Sequence, residues 1–145
     1  MAPHISAGTG IDRKAPHIDD GKLRTLQCDL EAAFPFEAAS FDVATMLAVL
    51  EHLDRPLAVL KEVRRVLKPG GALVLTVPSH AAKPVLEFLA FRLGIVSRAE
   101  IVDHKRYWNR RELMEAASAC GFEPVLHRYF QLGFNNFCVL RKPVA

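Results

Sequence analysis

A strand–helix–strand pattern between Ser40 and Ser79 constrains the fold more than any other feature of the sequence. The runs SFDVATMLAVL and ALVLTVP are rich in apolar and β-branched residues, which is typical of strands that are buried on both faces. Two strands that a helix connects lie parallel to each other in one sheet. The pattern therefore predicts the α/β fold class.

The segment between the two runs predicts an amphipathic helix. Its apolar residues recur at helical spacing, and lysine, arginine and glutamate residues lie between them. Asp54 is expected to cap this helix, Pro56 to lie in its first turn, and Pro69-Gly70-Gly71 to end it. Its apolar face is then available to pack on the sheet.

Upstream of this unit the sequence indicates two shorter strands. The stretch KLRTLQCDL reads as a strand that ends at Asp29. The residues Gly10-Ile11-Asp12 match the end of another strand. Both strands would place an acidic side chain at their carboxyl ends.

Downstream, the sequence predicts two helices and a hairpin. Residues 84–93 form a helix that is apolar on nearly all sides. Asn109 and Glu112 have the spacing of a capping box, for a helix that ends at Cys120-Gly121. The runs FEPVLHRYF and FNNFCVLRK then predict an antiparallel hairpin with its turn at Leu132-Gly133.

Composition excludes several classes of function. A chain of 145 residues with a net charge of +3 has the size of one domain, and gives no electrostatic case for a membrane or nucleic-acid partner. Its three cysteines form no CxxC pair, so neither a disulfide framework nor a metal site is expected. The N-terminus has no signal-peptide pattern and no apolar run could span a bilayer, so we expect a cytoplasmic protein.

The motifs CDL, FPF, SFDV, VLEHL, EVRRVLKPGG, LVLTVP and SACGF occur in this order. In this order they resemble the class I S-adenosylmethionine-dependent methyltransferases of the small-molecule type called type 11. The resemblance implies a doubly wound, mostly parallel, Rossmann-like sheet of seven strands with an antiparallel C-terminal hairpin. It also implies S-adenosylmethionine as the cofactor, bound across the carboxyl ends of the first strands.

The family's glycine loop, an acidic-x-Gly-x-Gly-x-Gly pattern after the first strand, has no counterpart in this sequence. Gly8-Thr9-Gly10 follows MAPHISA, which is too short and too polar for a buried first strand. Gly10-Ile11-Asp12 matches the family's second strand instead. We therefore expect residues 1–145 to form one methyltransferase domain that is incomplete at its N-terminus.

The resemblance implies five cofactor-binding residues. Asp12 would accept hydrogen bonds from the ribose diol, although an exposed turn carboxylate is an equal alternative. Asp29 would accept from the adenine amine, or else cap a turn, and Leu30 would flank the ring. Leu47 and Ala48 end a strand near the donor, where ordinary core packing is the alternative.

Two histidines are the candidates for proton transfer. His52 follows Glu51 at the entry to a helix, where a structural role is the stronger alternative. Some relatives have a Glu-x-x-Glu-His metal cluster here, but Ala48 replaces the first glutamate, so no metal is expected. His104 follows Asp103 in a segment, residues 80–108, that is expected to cover the acceptor; a polar surface loop is the alternative.

The leading functional hypothesis is methyl transfer to a small-molecule acceptor, with activity in question because the glycine loop is absent. The alternative is a degenerate, non-catalytic methyltransferase-like module that works through association, for which a homo-oligomer is an expected partner. A third hypothesis, RNA methylation, depends only on the basic and aromatic run HKRYWNRR. The start of a solvated helix explains that run equally well.

Overall fold

The structure is a computed structural model that describes residues 5–88 and 105–144. Within it the chain divides into two compact units, Met1–Pro35 and Phe36–Ala145. Each unit has its own sheet.

The first unit contains a two-stranded parallel sheet. Strand β1 (Gly8–Asp12) pairs with β2 (Leu23–Gln27). The prediction that Gly10-Ile11-Asp12 end a strand is confirmed, and Gly8-Thr9-Gly10 are strand residues rather than a loop. Gly8 leaves room for the side chain of its partner in the register, since a Cβ there would lie 2.8 Å from Cδ2 of Leu23.

The second unit contains a four-stranded sheet in the order β3-β4-β6-β5. Its strands are β3 (Phe41–Leu47), β4 (Leu67–Pro78), β5 (Glu123–Phe130) and β6 (Asn135–Arg141). Strands β3 and β4 are parallel, and β6 runs antiparallel to both β4 and β5. These pairings confirm the predicted parallel unit and the C-terminal hairpin. The described residues form six strands in two sheets, whereas the resemblance implies seven strands in one.

Within the described residues, four helical segments accompany this sheet. They are a 3₁₀-helix (Leu50–His52), α1 (Pro56–Val66), α2 (Ala82–Phe88) and α3 (Arg110–Ala119). Only the part of the predicted helix 84–93 up to Phe88 lies within the described residues.

The two predicted helix caps have different outcomes. The capping box of α3 is confirmed: the Asn109 side chain accepts from the amide of Glu112, and the Glu112 side chain accepts from the amide of Asn109, both at 2.9 Å. The Asp54 cap is wrong, because α1 begins after Arg55 without a side-chain cap. The Asp54 carboxylate instead pairs with Nζ of Lys105 at 2.7 Å.

The core lies on one face of the four-stranded sheet. Alternate residues of β4 are fully buried, and α1 packs against this strand and contacts α3. The buried side chains include Leu73, Leu75 and Val77 of β4, Cys138 and Leu140 of β6, and Val59, Leu60 and Val63 of α1. Burial of large aliphatic side chains is the main stabilising contribution to such a unit.

The opposite face of β3 is open. Val43 and Leu47 are 55% and 60% exposed, so the prediction that this strand is buried on both faces is wrong. Val43 and Leu47 lie on one side of the strand, because alternate residues of a strand share a side. Among the strands that the structure describes, β3 lies at the edge of its sheet and pairs with β4 alone.

Candidate functional site

Two carboxylates lie at the carboxyl ends of the strands of the first unit. Asp12 ends β1, and Asp29 follows β2 by two residues. The two strand ends are tied together, since the amide of Cys28 donates to the carbonyl of Asp12 at 3.0 Å. Adjacent parallel strands thus bring both predicted donor-binding aspartates to one edge of the sheet.

Asp12 is exposed and stabilises its own turn. Its Oδ1 accepts from the amide of Lys14 at 2.7 Å, which is the turn role that the sequence left open. Its Oδ2 accepts no hydrogen bond from the residues that the structure describes. A ligand hydroxyl could therefore bind this carboxylate without displacing the turn.

Asp29 is exposed too, and a cation lies beside it. Its Oδ1 accepts from the amide of Glu31 at 3.0 Å, and Nη2 of Arg13 lies 3.3 Å from the same oxygen. Both side chains of this ion pair are more than half exposed, so the pair contributes little to stability. The neighbouring Leu30 is half-buried.

Leu47 and Ala48 lie where β3 ends, in the second unit. Ala48 has a φ of 54°, in the left-handed region that few residues other than glycine adopt. Its amide donates to both the carbonyl and Oγ1 of Thr76 on β4, each at 3.1 Å. Backbone of this kind is often found at functional sites, and here it directs the chain away from the sheet.

The 3₁₀-helix after this bend carries Glu51 and His52. The Glu51 side chain is buried, and its Oε2 has no hydrogen-bond partner in the described part of the chain. Burial raises the pKa of the Glu51 carboxyl, because the charged form loses its hydration. His52 is half-buried in the same turn.

A second buried group follows the undescribed residues 89–104. Trp108 is 2% exposed, and its Nε1 also lacks a partner among the described residues. The Arg106 guanidinium lies 5.2 Å from the centroid of the Trp108 ring, a cation–π arrangement. His104, the other predicted proton acceptor, lies outside the described residues, as does Asp103.

Asn136 holds the Trp108 segment against the sheet. Its Nδ2 donates to the carbonyl of Trp108 at 2.9 Å and to that of Val77 at 3.3 Å. Its Oδ1 lies 2.9 Å from Nε2 of His127 on β5, so that this nitrogen carries the proton. The side chain is fully buried.

Sequence reasoning missed Glu51 and Asn136 as important residues. A polar side chain inside an otherwise apolar stretch is a signal of such a residue. Glu51 gave this signal, since it lies between Leu50 and Leu53. Asn136 gave a weaker signal, because it is next to a second asparagine.

The described residues contain neither a cluster of metal ligands nor a membrane-spanning helix. In residues 5–88 and 105–144 no group of three or more His, Cys, Asp or Glu side chains could hold a metal ion. Over the same ranges, no helix is long and apolar enough to cross a membrane.

Comparison with known proteins identifies a family and several relatives. A model of the methyltransferase domain family matches residues 5–75. Ubiquinone biosynthesis O-methyltransferase from Idiomarina loihiensis is 29% identical over 142 residues, which cover 86% of this chain and 56% of that protein. Ubiquinone/menaquinone biosynthesis C-methyltransferase from Xylella fastidiosa is 32% identical over 129 residues, 79% of this chain and 51% of that protein. The chain spans about half the length of these relatives.

Solved structures share the fold. The methyltransferase in a complex with the Haloferax volcanii Trm112 activator has a TM-score of 0.77 and 18% identity, over 95% of this chain and 73% of that chain. A SAM-dependent methyltransferase from Methanosarcina mazei has a TM-score of 0.65 and 21% identity, over 97% of this chain and 84% of that chain. At these identities the likeness concerns the fold alone.

Proposed function

The chain belongs to the methyltransferase domain family, and we propose that it transfers a methyl group from S-adenosylmethionine to a small-molecule acceptor. The α/β fold, with its partial Rossmann-like sheet, is the fold of solved methyltransferases. Family and fold together support methyl transfer as the type of reaction.

The observation that carries this proposal is the pair of aspartates at one edge of the first sheet. In open α/β sheets ligands bind at the carboxyl ends of the strands, where Asp12 and Asp29 lie. We assign Asp12 to the ribose hydroxyls and Asp29 to the adenine amine, with Leu30 beside the ring. Carboxylate oxygens are suitable partners for both kinds of donor group.

The residues that end β3 have a second role in the proposal. Leu47 presents an exposed apolar side chain, and Ala48 presents main-chain atoms in an unusual conformation. We assign both to contact with the donor. His52 and His104 stay predictions as proton acceptors.

The protein has a limited chemical task in this reaction. S-adenosylmethionine supplies a methyl group that is already activated on a sulfonium. The chain's own residues then have to align the acceptor in line with the methyl group, exclude water and hold a proton where the acceptor releases one.

The names of the relatives suggest the class of the acceptor. Two of them act in ubiquinone or menaquinone biosynthesis, as an O-methyltransferase and a C-methyltransferase. We propose an oxygen-substituted aromatic ring of the quinone or hydroquinone type for this chain.

Calorimetric titration with S-adenosylmethionine and S-adenosylhomocysteine tests the proposal. Saturable binding is expected for the native chain, and Asp29→Ala should weaken it about tenfold, as expected for loss of a charge-assisted hydrogen bond. Asp42→Ala is the matched control, because Asp42 is exposed and pairs with Lys68 in the second unit.

The absence of binding by the native chain would reject the methyltransferase activity. Light scattering on the same sample then tests the alternative of a non-catalytic module. A stable oligomer without donor binding would favour association as the function.

A further inference from the structure

The turn between β5 and β6 exposes a large apolar side chain. Leu132 is 95% exposed, the highest value among the large apolar side chains that the structure describes. Tyr129 and Phe130, the last two residues of β5, are 49% and 38% exposed. Successive residues of a strand point to opposite faces, so an aromatic ring lies on each side of the strand end. Tyr129, Phe130 and Leu132 form the hairpin tip.

The backbone that presents Leu132 is strained and is held in place by β4. Gln131 and Leu132 have φ angles of 50° and 59°, in the left-handed region that is costly for residues other than glycine. Ser79, directly after β4, holds the turn: its Oγ donates to the carbonyl of Gly133 at 2.6 Å, and its amide donates to that of Phe134 at 2.8 Å. The fold thus keeps Leu132 in solvent at a cost, which indicates a function for its position.

Two arginines lie beside the hairpin tip. Arg128 precedes Tyr129 in β5, and the amide of Arg110, the first residue of α3, donates to Oη of Tyr129 at 3.2 Å. Both arginines are exposed. Within residues 5–88 and 105–144 neither of them forms an ion pair. The apolar tip is therefore accompanied by positive charge.

The acidic side chains of α3 do not neutralise this charge, because they have partners of their own. Glu112 lies 2.8 Å from Nε2 of His80, and Glu115 lies 2.7 Å from Nε of Arg111. The net charge of +3 for the whole chain does not reveal such a local excess of cations. For this reason composition gave no indication of the surface.

This combination of side chains is typical of proteins that bind at the surface of a bilayer. Aliphatic side chains enter the boundary of headgroups and acyl chains, tyrosine prefers the interface, and arginine is attracted to anionic headgroups. A nucleic acid would use the cations but not Leu132. A stable protein partner needs about 800 Å² of surface on each side, more than the end of one hairpin provides.

We propose that the hairpin tip inserts into the surface of a membrane that contains anionic lipids. Leu132 and Phe130 enter the acyl boundary, Tyr129 lies at the level of the headgroups, and Arg110 and Arg128 contact the lipid phosphates. The attachment is peripheral and reversible, because one hairpin end buries little apolar surface. It is a property of the second unit and does not depend on the proposed methyl transfer.

Sedimentation with lipid vesicles tests this proposal. The native chain should bind vesicles of phosphatidylcholine with about 30% phosphatidylglycerol at least about tenfold more tightly than vesicles of phosphatidylcholine alone. Salt at about 0.5 M should weaken binding to the anionic vesicles, because it screens the attraction between the arginines and the headgroups.

Variants of exposed residues separate the apolar and the charged contributions. Leu132→Ser should weaken binding to anionic vesicles at least about tenfold, since it removes the aliphatic group. Val144→Ser is the matched control, because Val144 is 75% exposed and lies outside the hairpin. Arg128→Gln should weaken binding about threefold to fivefold. Lys61→Gln, which removes an exposed cation of α1, is its control and should bind like the native chain.

Leu132→Trp reports where the hairpin tip lies. The native chain has one tryptophan, Trp108, which is 2% exposed and provides the background signal. Emission from the added tryptophan should shift to shorter wavelength when anionic vesicles are added, and lipids brominated in their acyl chains should quench it. Both effects require the side chain to leave water for the bilayer.

Several results would overturn the proposal. They are a native chain that does not bind anionic vesicles, an equal loss of binding in Leu132→Ser and Val144→Ser, and an added tryptophan that brominated lipids do not quench. Equal binding to neutral and anionic vesicles would reject the role of the arginines. An oligomer that Leu132→Ser dissociates, without vesicle binding, would replace the membrane by a second copy of the chain. Donor binding is measured separately by calorimetry, so none of these results decides the proposed function.

Discussion

Asn136 connects three parts of the structure through one buried side chain. Its amide group joins β4, β5 and the segment at Trp108 through three hydrogen bonds, in a fully buried position. The sequence could not reveal this role, because its three partners are separated from it along the chain by between 9 and 59 residues. Such a network forms only when the tertiary structure brings its members together.

Replacing Asn136 should therefore be costly. Asn136→Ala should lower the free energy of unfolding by about 2–4 kcal/mol, because it removes three hydrogen bonds and leaves buried groups unsatisfied. Urea unfolding measures the change. Asn135→Ala is the control and should cost less than about 1 kcal/mol, since the Asn135 side chain donates to the exposed Gln131 side chain. Equal effects of the two variants would contradict the network's importance.

The Glu51 carboxyl should make stability depend on pH. Its folded-state pKa is raised by burial above the ordinary value of 4.5, so its contribution is complete below that value. It is lost as the pH rises through the folded-state pKa. Urea unfolding at pH 5 and pH 8 should show that Glu51→Gln gains stability relative to the native chain at the higher pH. A constant difference between the two proteins would contradict this prediction.

The three cysteines should differ in reactivity. Burial raises the pKa of the Cys138 thiol to about 11, and it also raises the pKa of the Cys120 thiol, so neither forms the reactive thiolate readily. Cys28 is half-buried. Mass spectrometry after iodoacetamide treatment at pH 8 should find one modified cysteine, Cys28, in the folded protein and three in urea. Early modification of Cys138 would indicate that β6 opens.

At the level of elements, local sequence patterns predicted the structure correctly where neighbouring residues decide it. The capping box of α3 and the C-terminal hairpin depend on short-range chemistry, and both are confirmed. The prediction for β3 was wrong because burial depends on which elements cover a strand, and local composition does not contain that information. Asp54 failed as a cap for a similar reason, since Lys105 binds its side chain.

The approach of β3 to β4 depends on Gly71. A Cβ at this position would lie 2.8 Å from the carbonyl oxygen of Lys68 and 3.0 Å from that of Asp42. Gly71→Ala should therefore cost about 1–3 kcal/mol in the free energy of unfolding, because backbone atoms cannot move aside easily. Gly10→Ala is the control, since its added Cβ would have an ordinary 3.5 Å contact with Thr25. Equal stability of the two variants would count against this steric explanation.

At the level of the molecule, the two units differ in how they are stabilised. The second unit buries a layer of aliphatic side chains, whereas the first has a two-stranded sheet of exposed and half-buried residues. The sequence pattern predicted where the strands lie, but it could not predict this contrast. The contrast depends on which strands pair with one another in the folded chain.

This difference should be visible in hydrogen exchange. Amides of β1 and β2 should exchange much faster than those of β4 and β6, because a two-stranded sheet is marginally stable by itself. S-adenosylhomocysteine should slow exchange in β1 and β2, where Asp12 and Asp29 lie. Mass spectrometry of peptides measures both effects. Protection confined to the second unit would contradict the proposed roles of the two aspartates.

The position of β6 has a consequence for the order of events during synthesis. Strand β6 follows β5 in the sequence, yet it lies between β4 and β5 in the sheet. A ribosome therefore has to release residues up to Arg141 before β5 can acquire its hydrogen-bonding neighbour. Until then β4 has an unpaired edge that a chaperone or another nascent chain could occupy. The sheet is completed when β6 is inserted between β4 and β5, which are both synthesised before it.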